Sequence, residues 1–350
     1  MGLLKFNNVG IRAISATVPK KIIRTRDLTD YFPIEHIEKF IESTGIEERR
    51  FVEPEQCASD MCFKAAQQLF EQTDILKDDI DMLIMATQTP DYRSPGPAII
   101  LQNRLGLKKS TIVYDLNLTC SGFIHGLMMS YTFLNLPEIN NVLLLVGDTL
   151  SKLISPRDKS TGLLLGDAGV AALITKGEQY GCSYFSMNTD GAYTEATIIP
   201  AGEFRNMSSI ETLEYKEYSD GSIRNLEQVV MNGMDVFSFA ISELPKDVNR
   251  LLAYAEVNIE DIDKYAFHQA NRYMFEYIAK KLKADPQKVL HSIHKYGNTA
   301  DVSIPLTLVE NRLNIKSNSS ILMNAIGAGF AYGTALINLA DCNLLNISEL

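Results

Sequence analysis

The chain has 350 residues, 46% apolar and 22% charged, so it can bury one large or two medium-sized cores without disulfide bonds. Its formal net charge of −10, with no block of lysine or arginine, argues against a general nucleic-acid-binding protein. No apolar run approaches the length that spans a bilayer, MGLLKFNNVG lacks a signal-peptide core, and the five cysteines are widely spaced. We therefore expect a cytoplasmic protein with no membrane or nucleic-acid partner.

In chain order, apolar periodicity predicts helices over residues 59–72, 95–107, 245–257 and 271–284. Short apolar strands alternate with these helices, which indicates mixed, largely parallel sheets covered by helices. Residues 202–225 are polar and lack a clear period, which predicts a surface excursion without chemistry.

An internal repeat gives the best indication of the architecture. Residues 78–92 and 260–274 both begin with acidic residues and an Ile-Asp pair. A short apolar strand and then polar residues follow in each. A second pair, NNVLLLVGD and SSILMNAIGAG, follows in the same order and register. We interpret the chain as a duplicated α/β unit with halves at residues 1–178 and 179–350.

Cys120 lies where a β-type stretch ends and an apolar helical pattern begins, in VYDLNLTCSGFIHGL. Unpaired N–H groups and the positive end of the dipole at a helix N-terminus stabilise an ionised sulfur. On this segment alone, a reactive thiolate and a buried structural cysteine are equally good interpretations.

Two further residues favour the reactive cysteine. His268 follows a second apolar strand in FHQANRY, and Asn298 stands beside a glycine in HKYGNTADVSIP. In parallel α/β sheets, functional groups gather where strands end and helices begin. Cysteine, histidine and asparagine are the residue types needed to activate a thiol and to hold a polarised carbonyl oxygen.

The motifs NLTCSGF, HQAN, YGNTA and IGAGFAYG, together with STGIEERR and LLLGDAGVAALI, cover the chain nearly end to end. In their order and spacing the chain resembles a β-ketoacyl-acyl-carrier-protein synthase III of the thiolase-like superfamily. The resemblance implies a thiolase-like, duplicated five-layer α/β/α/β/α sandwich, usually assembled as a homodimer. It implies no bound cofactor and no metal.

The resemblance also implies a mechanism in which Cys120 takes an acyl group from a thioester primer on coenzyme A or an acyl carrier protein. Malonyl-acyl carrier protein then loses carbon dioxide, while His268 and Asn298 donate hydrogen bonds to the enolate oxygen, with the histidine neutral. The product would enter fatty acid or related acyl-chain biosynthesis. The implied backbone donors of the oxyanion hole are Cys120, Gly327, Ala328 and Gly329.

Other residues acquire implied roles from the same resemblance. A basic face is formed by Arg272, Lys280 and Lys281. Composition alone favours a solvated helix surface, whereas the resemblance implies a docking surface for the carrier protein. Ser94 aligns roughly with a bulky residue that limits the acyl pocket in some members. Lys39 and Lys159 align where members carry the tryptophan and arginine that sandwich the adenine of coenzyme A, which puts that mode of binding in doubt.

Other classes of protein remain to be compared. A papain-like protease also orders Cys, His and Asn, but its cysteine context is absent here. Hydroxymethylglutaryl-coenzyme A synthase shares the fold but needs a carboxylic acid near ATQTP, where this chain has Gln88. The main alternative is an acyltransferase of the same fold that moves the acyl group to an alcohol or amine without decarboxylation, and a non-enzymatic carrier-binding scaffold is disfavoured.

Overall fold

The computed structural model describes residues 2–350. The strands are β1 Gly2–Asn7, β2 Val9–Val18, β3 Lys21–Arg24, β4 Glu48–Phe51, β5 Met82–Ala86, β6 Ile112–Leu116, β7 Asn141–Asp148, β8 Ala168–Lys176, β9 Cys182–Tyr193, β10 Thr197–Ile198, β11 Lys216–Glu217, β12 Ile223–Arg224, β13 Val230–Met231, β14 Lys264–Phe267, β15 Ser320–Gly327, β16 Gly329–Asn338 and β17 Asn343–Glu349. The helices are α1 Ile34–Thr44, α2 Ala58–Gln72, α3 Pro97–Leu105, α4 Gly122–Leu134, α5 Ile210–Leu213, α6 Gly233–Ala255, α7 Arg272–Leu282, α8 Ile293–Tyr296 and α9 Ser303–Glu310.

Two mixed sheets form the framework. The first has six strands in the order β17-β2-β8-β7-β5-β6, and the second has five in the order β1-β9-β16-β15-β14. In the first sheet β5 is parallel to β7, and β7 is antiparallel to β8. In the second, β14 is parallel to β15, and β15 is antiparallel to β16. The two sheets therefore repeat one strand plan.

The helices lie in three layers around these sheets. Helices α4 and α9 pack between the sheets, α2 and α3 cover the outer face of the first, and α6 and α7 cover the outer face of the second. Strand β5 has the wholly apolar sequence MLIMA because both of its faces are covered. Met82 and Ile84 join the central core, while Leu83 and Met85 join the outer core under α2 and α3. Alternate side chains of a strand covered on both faces are buried on opposite sides. The predicted five-layer α/β/α/β/α sandwich is confirmed.

The internal repeat also has a structural counterpart. In both 78–92 and 260–274 the first two acidic residues lie in a single 3-10 turn. The apolar residues that follow form β5 in the first repeat and β14 in the second. The two halves exchange terminal strands, because β1 belongs to the second sheet and β17 to the first. The predicted halves at residues 1–178 and 179–350 are thus interlocked rather than separate in space.

The excursion at residues 202–225 is more ordered than its sequence indicated. It contains α5 and the short β11–β12 pair. A buried salt bridge of 2.9 Å joins Arg224 to Asp158, and Lys159 donates its backbone N–H to Ser222 Oγ at 3.0 Å. These contacts fix the loop that leads to the cavity-lining residues Leu164 and Leu165.

Candidate active site

One cavity brings the three predicted residues together. Cys120, His268 and Asn298 all line it, and its volume is about 130 Å³. Its remaining surface is mostly apolar, with side chains such as Leu150, Leu164, Leu165, Met231, Val236, Phe237, Met274 and Phe330. A mostly apolar cavity lined by a thiol suits an acyl or similar thioester substrate.

Cys120 lies in the single 3-10 turn Thr119–Ser121, directly before α4. The predicted position at a helix N-terminus is therefore confirmed. Thr119 has a positive φ of 28°, which is a strained conformation for a β-branched residue. Its hydroxyl accepts the backbone N–H of Ala328 at 2.7 Å. A Cβ on Gly327 would collide with the Thr119 hydroxyl, so glycine allows the β15–β16 turn to approach the nucleophile.

The predicted thiolate is not supported by the surroundings of Cys120. Burial raises the pKa of the Cys120 thiol above its usual range, and the charges of Asp301 and Asp148 raise it further. The thiol's own backbone N–H lowers the pKa but is outweighed. Desolvation and the acidic neighbours therefore favour a neutral thiol over the thiolate.

His268 follows β14 and is buried. Its backbone N–H donates to Asn324 O at 2.9 Å, and its Nδ1 lies 2.7 Å from Ser303 Oγ at the start of α9. Burial lowers the pKa of His268 to about 4. The imidazole is therefore neutral at physiological pH, and Ser303 orients it.

Asn298 follows α8 and Gly297, whose φ is 65°. The Asn298 backbone donates to Leu164 O and accepts from Gly166 N, each at 3.0 Å. Its side-chain oxygen accepts the N–H of Ala300 at 2.9 Å. Because that bond fixes the amide orientation, the Nδ2 group is left to donate to an occupant of the cavity.

The predicted backbone donors differ from one another. Gly327 and Ala328 line the cavity with Cys120, whereas Gly329 is not among the lining residues. The Ala328 N–H already donates to Thr119 Oγ1. The Ala328 N–H is therefore occupied in this state, and the oxyanion roles of Cys120, Gly327, Ala328 and Gly329 stay predictions.

The predicted docking residues lie on α7 or at its start. Lys280 is exposed, Lys281 donates to Ile241 O at 3.0 Å, and Arg272 donates to Glu42 O at 2.7 Å. Arg272 and Lys281 therefore also hold α7 against neighbouring elements. Their role in docking stays a prediction.

Ser94 is exposed in the loop before α3 and does not line the cavity of the single chain, which differs from its predicted place in the acyl pocket. Lys39 lies exposed on α1. Lys159 donates its Nζ to Asp220 O at 2.7 Å, so this ammonium group already contacts the excursion.

Arg49 was missed by sequence analysis. It is 1% exposed and donates to Gly162 O at 2.9 Å and Leu165 O at 3.1 Å. A Cβ on Gly297 would also come within 2.7 Å of the Arg49 side chain. Arg49 thus fixes both the loop before β8 and the loop of Asn298. Its location in the STGIEERR motif was the available signal, but a buried arginine cannot be distinguished there from an exposed one.

Within residues 2–350, no three or more His, Cys, Asp or Glu residues are grouped in a way that could hold a metal ion. Over the same range, no helix combines the length and apolarity needed to cross a membrane.

Comparisons with known proteins identify relatives along the whole chain. A family profile described as 3-oxoacyl-[acyl-carrier-protein] synthase III matches residues 114–191, and the profile of that enzyme's C-terminal part matches residues 252–339. The β-ketoacyl-[acyl-carrier-protein] synthase III of Fusobacterium nucleatum is 33% identical over 95% of this chain and 99% of its own length. The enzyme of the same name from Caldanaerobacter subterraneus is 34% identical over 94% of this chain and 97% of its own.

Solved structures agree with the sequence relatives. A crystal structure of 3-oxoacyl-(acyl-carrier-protein) synthase III superimposes with a TM-score of 0.90 at 34% identity, covering 95% of this chain and 99% of that one. A 3-oxoacyl-(acyl-carrier protein) synthase from Burkholderia xenovorans LB400 gives 0.92 at 30% identity, with 99% of both chains covered. The similarity extends over both halves and both walls of the cavity.

Proposed function

The chain belongs to the 3-oxoacyl-[acyl-carrier-protein] synthase III family, thiolase-like acyltransferases that condense decarboxylatively, and from this premise we propose roles for its own residues. Cys120 carries the primer acyl group, and His268 and Asn298 stabilise the enolate derived from malonyl-acyl carrier protein. The observation that carries this assignment is the cavity in which a thiol faces a neutral imidazole and an amide with a free NH₂ group.

In the first half-reaction the Cys120 sulfur attacks the carbonyl carbon of the primer thioester. The sulfur starts as a thiol, so its proton passes to His268 Nε2. The Cys120 N–H holds the oxyanion until the leaving thiolate departs and takes the proton. For Nε2 to accept, Nδ1 must carry the ring proton. Ser303 Oγ is suited to accept it, because the same oxygen accepts the Gln269 N–H at 3.3 Å.

In the second half-reaction the malonyl group loses carbon dioxide and its electron pair becomes an enolate. His268 Nε2–H and Asn298 Nδ2 donate to the enolate oxygen, and each donor is typically worth about 3 kcal/mol. The enolate carbon attacks the acyl carbonyl, the bond from that carbon to the Cys120 sulfur breaks, and the departing thiolate takes a proton from water to restore the thiol. His268 must now hold its proton on Nε2, with the Ser303 hydroxyl donating to Nδ1. A serine suits both half-reactions, since its hydroxyl can accept or donate.

Intact-protein mass spectrometry tests the proposal. Wild type and Cys120→Ser are incubated with a panel of acyl thioesters and then with malonyl-acyl carrier protein. We expect an acyl adduct on wild type alone that is discharged as a β-ketoacyl product. An adduct that ignores malonyl-acyl carrier protein but discharges to an alcohol or amine would instead support the acyltransferase without decarboxylation.

The basic face of α7 supports acyl carrier protein as partner. The double variant Lys280→Glu with Lys281→Glu should raise the Michaelis constant for a carrier-bound substrate and leave that for a free thioester analogue unchanged. Lys108→Glu with Lys109→Glu makes the same charge change at another exposed site and serves as control. Equal effects of the two double variants would contradict docking on α7.

The carrier of the primer is a separate proposal. Lys39 and Lys159 cannot stack on adenine as tryptophan and arginine do, and Lys159 already binds Asp220 O. We favour a carrier-protein primer over an acyl-coenzyme A. The test compares acylation of Cys120 by the same acyl group on each carrier, and a clear preference for coenzyme A would reverse this assignment.

A homodimer, as usual in the family, is supported by the edge strand β6. This strand ends the first sheet, and its Ile112 and Tyr114 side chains are 43% and 45% exposed. An unpaired apolar edge suits pairing with a second copy. Light scattering of wild type and Tyr114→Lys would test this, with loss of the dimer expected in the variant. The proposed cytoplasmic location rests on the five cysteines, all of which are free thiols.

A further inference from the structure

Two buried aspartates lie behind the nucleophile. Asp148 is the last residue of β7, and Asp301 lies in a 3-10 turn three residues after Asn298. They are 0% and 1% exposed. A Cβ on Gly122, the first residue of α4, would lie 2.9 Å from an Asp301 carboxyl oxygen, so this carboxyl packs against the helix start that carries Cys120.

Asp148 is surrounded by hydrogen-bond donors. Its Oδ1 accepts from the hydroxyls of Thr87 and Thr89 at 3.1 and 3.0 Å and from Gln88 N at 2.9 Å. Its Oδ2 accepts from Gln88 Nε2 at 3.0 Å. Burial raises the pKa of Asp148, but these four bonds act in the opposite direction and favour the ionised form.

Asp301 has the opposite environment. Neither of its carboxyl oxygens is within bonding geometry of a donor group in the described part of the chain. Across residues 2–350, neither aspartate forms a salt bridge. Burial raises the pKa of Asp301 well above its usual range, and the neighbouring Asp148 raises it further. The nearby backbone N–H groups of Asp301 and Val302 lower this pKa, although neither reaches hydrogen-bond geometry with the carboxyl.

The 3-10 turn that carries Asp301 packs against β7, which ends at Asp148, so the two carboxyl groups are neighbours. Neighbouring carboxylates cannot both be ionised without a counter-charge, and a carboxylate can bond to a second carboxyl group only through a proton. We propose that Asp148 and Asp301 are positioning residues that share one proton, held on Asp301 and donated to Asp148, so that the pair presents a single negative charge behind Cys120. The pair is then a fixed anion with a donor partner, rather than two competing charges.

This single charge acts on two cavity residues. It keeps Cys120 a thiol in the resting enzyme, so that the sulfur becomes nucleophilic only when His268 takes its proton. It also holds the Gln88 amide by its nitrogen, which leaves the Gln88 oxygen for the cavity that this side chain lines. Other ionisable groups near the pair are Cys62 on α2 and Asp167 before β8. Burial raises the pKa of the Asp167 carboxyl to about 6.

The pH profile of Cys120 alkylation by iodoacetamide tests the charge assignment. Asp148→Asn removes the negative charge, so the thiol pKa should fall by about one unit and alkylation at neutral pH should rise about tenfold. Asp301→Asn keeps a neutral donor in place of the acid, so its profile should stay within about twofold of wild type. Asp167→Asn, a buried change outside the pair, is the matched control and should resemble wild type. Equal acceleration by Asp148→Asn and Asp301→Asn would overturn the assignment.

Infrared spectroscopy observes the shared proton directly and remains informative if Asp148→Asn fails to fold. Wild type at neutral pH should show the carbonyl band of a protonated carboxylic acid, which is absent in Asp301→Asn and retained in Asp167→Asn. If wild type and Asp301→Asn have identical spectra in this region, no proton is held on Asp301. The inference concerns the site of the proposed synthase reaction, but neither measurement needs a synthase substrate, so it can fail independently of the proposed function.

Discussion

The two walls of the cavity have opposite electrostatic character. The wall of Cys120 has the Asp148–Asp301 pair behind it, and the negative charge of this pair raises the pKa of the thiol. The facing wall has His268 and Asn298, which are neutral and are held by a serine hydroxyl and a backbone N–H. Both walls contain a non-glycine residue with positive φ next to the reactive groups, Thr119 at 28° and Ala300 at 46°.

This contrast assigns different tasks to the two walls. An anionic environment keeps a thiol protonated, so the nucleophile depends on a base from the other wall. Neutral donors stabilise the enolate but do not bind the malonyl carboxylate as strongly as a cation would before the reaction. They therefore suit a wall where negative charge develops during the reaction. His268 is the residue that links the walls, because it serves both the thiol and the enolate.

Replacing His268 should therefore have the largest effect, and it should affect both half-reactions. We expect His268→Ala to lower malonyl decarboxylation by about 10²–10³-fold through loss of a donor. Acylation of Cys120 should fall by about 10²-fold or more through loss of the base. Single-turnover measurements of acyl-enzyme formation and of carbon dioxide release separate the two. Normal acylation in this variant would show that the thiol does not depend on His268 and would break the contrast between the walls.

Replacing Asn298 should affect one half-reaction only. Its free Nδ2 group can donate to the enolate oxygen but cannot take a proton from Cys120. Asn298→Ala is expected to slow decarboxylation by about 10²–10³-fold. The same two single-turnover measurements should show acylation within a few-fold of wild type. A comparable loss in both steps would mean that Asn298 also maintains the shape of the nucleophile wall.

Much of the fold was predictable because its signals are local. Helix α2 was predicted at 59–72 and spans Ala58–Gln72, since a regular apolar face defines it. Helix α6 was predicted only from residue 245, yet it starts at Gly233 and continues through Pro245. A proline is a normal start signal, but here burial of Phe239 and Leu244 on the same helix maintains the helix on both sides of it. That compensation depends on tertiary packing, which the sequence pattern does not contain.

In the candidate site, too, features that depend on local sequence were predictable and features that depend on tertiary contacts were not. Cys120, His268 and Asn298 were recognisable because each follows an element in a distinctive motif. The helix N-terminus favours an ionised thiol, whereas burial and the acidic neighbours Asp148 and Asp301 raise the pKa of Cys120. These two aspartates lie far apart in sequence and meet only in the fold, so their effect could not be predicted from the motif. The bond from Ala328 to Thr119 joins residues 209 positions apart, so no local pattern could indicate that this donor is occupied.

The pH dependence of stability tests whether the donor wall is neutral. His268 has a pKa of about 4 in the folded protein and 6.5 in the reference state. Because the folded pKa is lowered, the unfolded chain binds the extra proton between these values, and stability is lost as pH falls from about 6.5 toward 4. A shift of about 2.5 units corresponds to roughly 3 kcal/mol.

The measurement is the free energy of unfolding in denaturant at several pH values. Burial also lowers the pKa of His125 and His291, so the relevant quantity is the difference between wild type and His268→Gln. Wild type should lose up to about 3 kcal/mol more than the variant across this range. Parallel curves for the two proteins would show that His268 is already protonated or solvated in the folded state.

The smallest expected effect concerns Ser303, which contacts His268 but neither the thiol nor the enolate. Ser303→Ala removes the 2.7 Å contact to Nδ1 and leaves the Gln269 N–H without its acceptor. Loss of one such bond corresponds to about 1.4 kcal/mol, or about tenfold in rate. Because the serine serves both tautomers of the ring, acylation and decarboxylation should slow by similar factors, unlike the selective effect of Asn298→Ala. Ser303→Thr keeps the hydroxyl and should restore both steps, whereas a threonine variant as slow as alanine would indicate that Ser303 acts through packing alone.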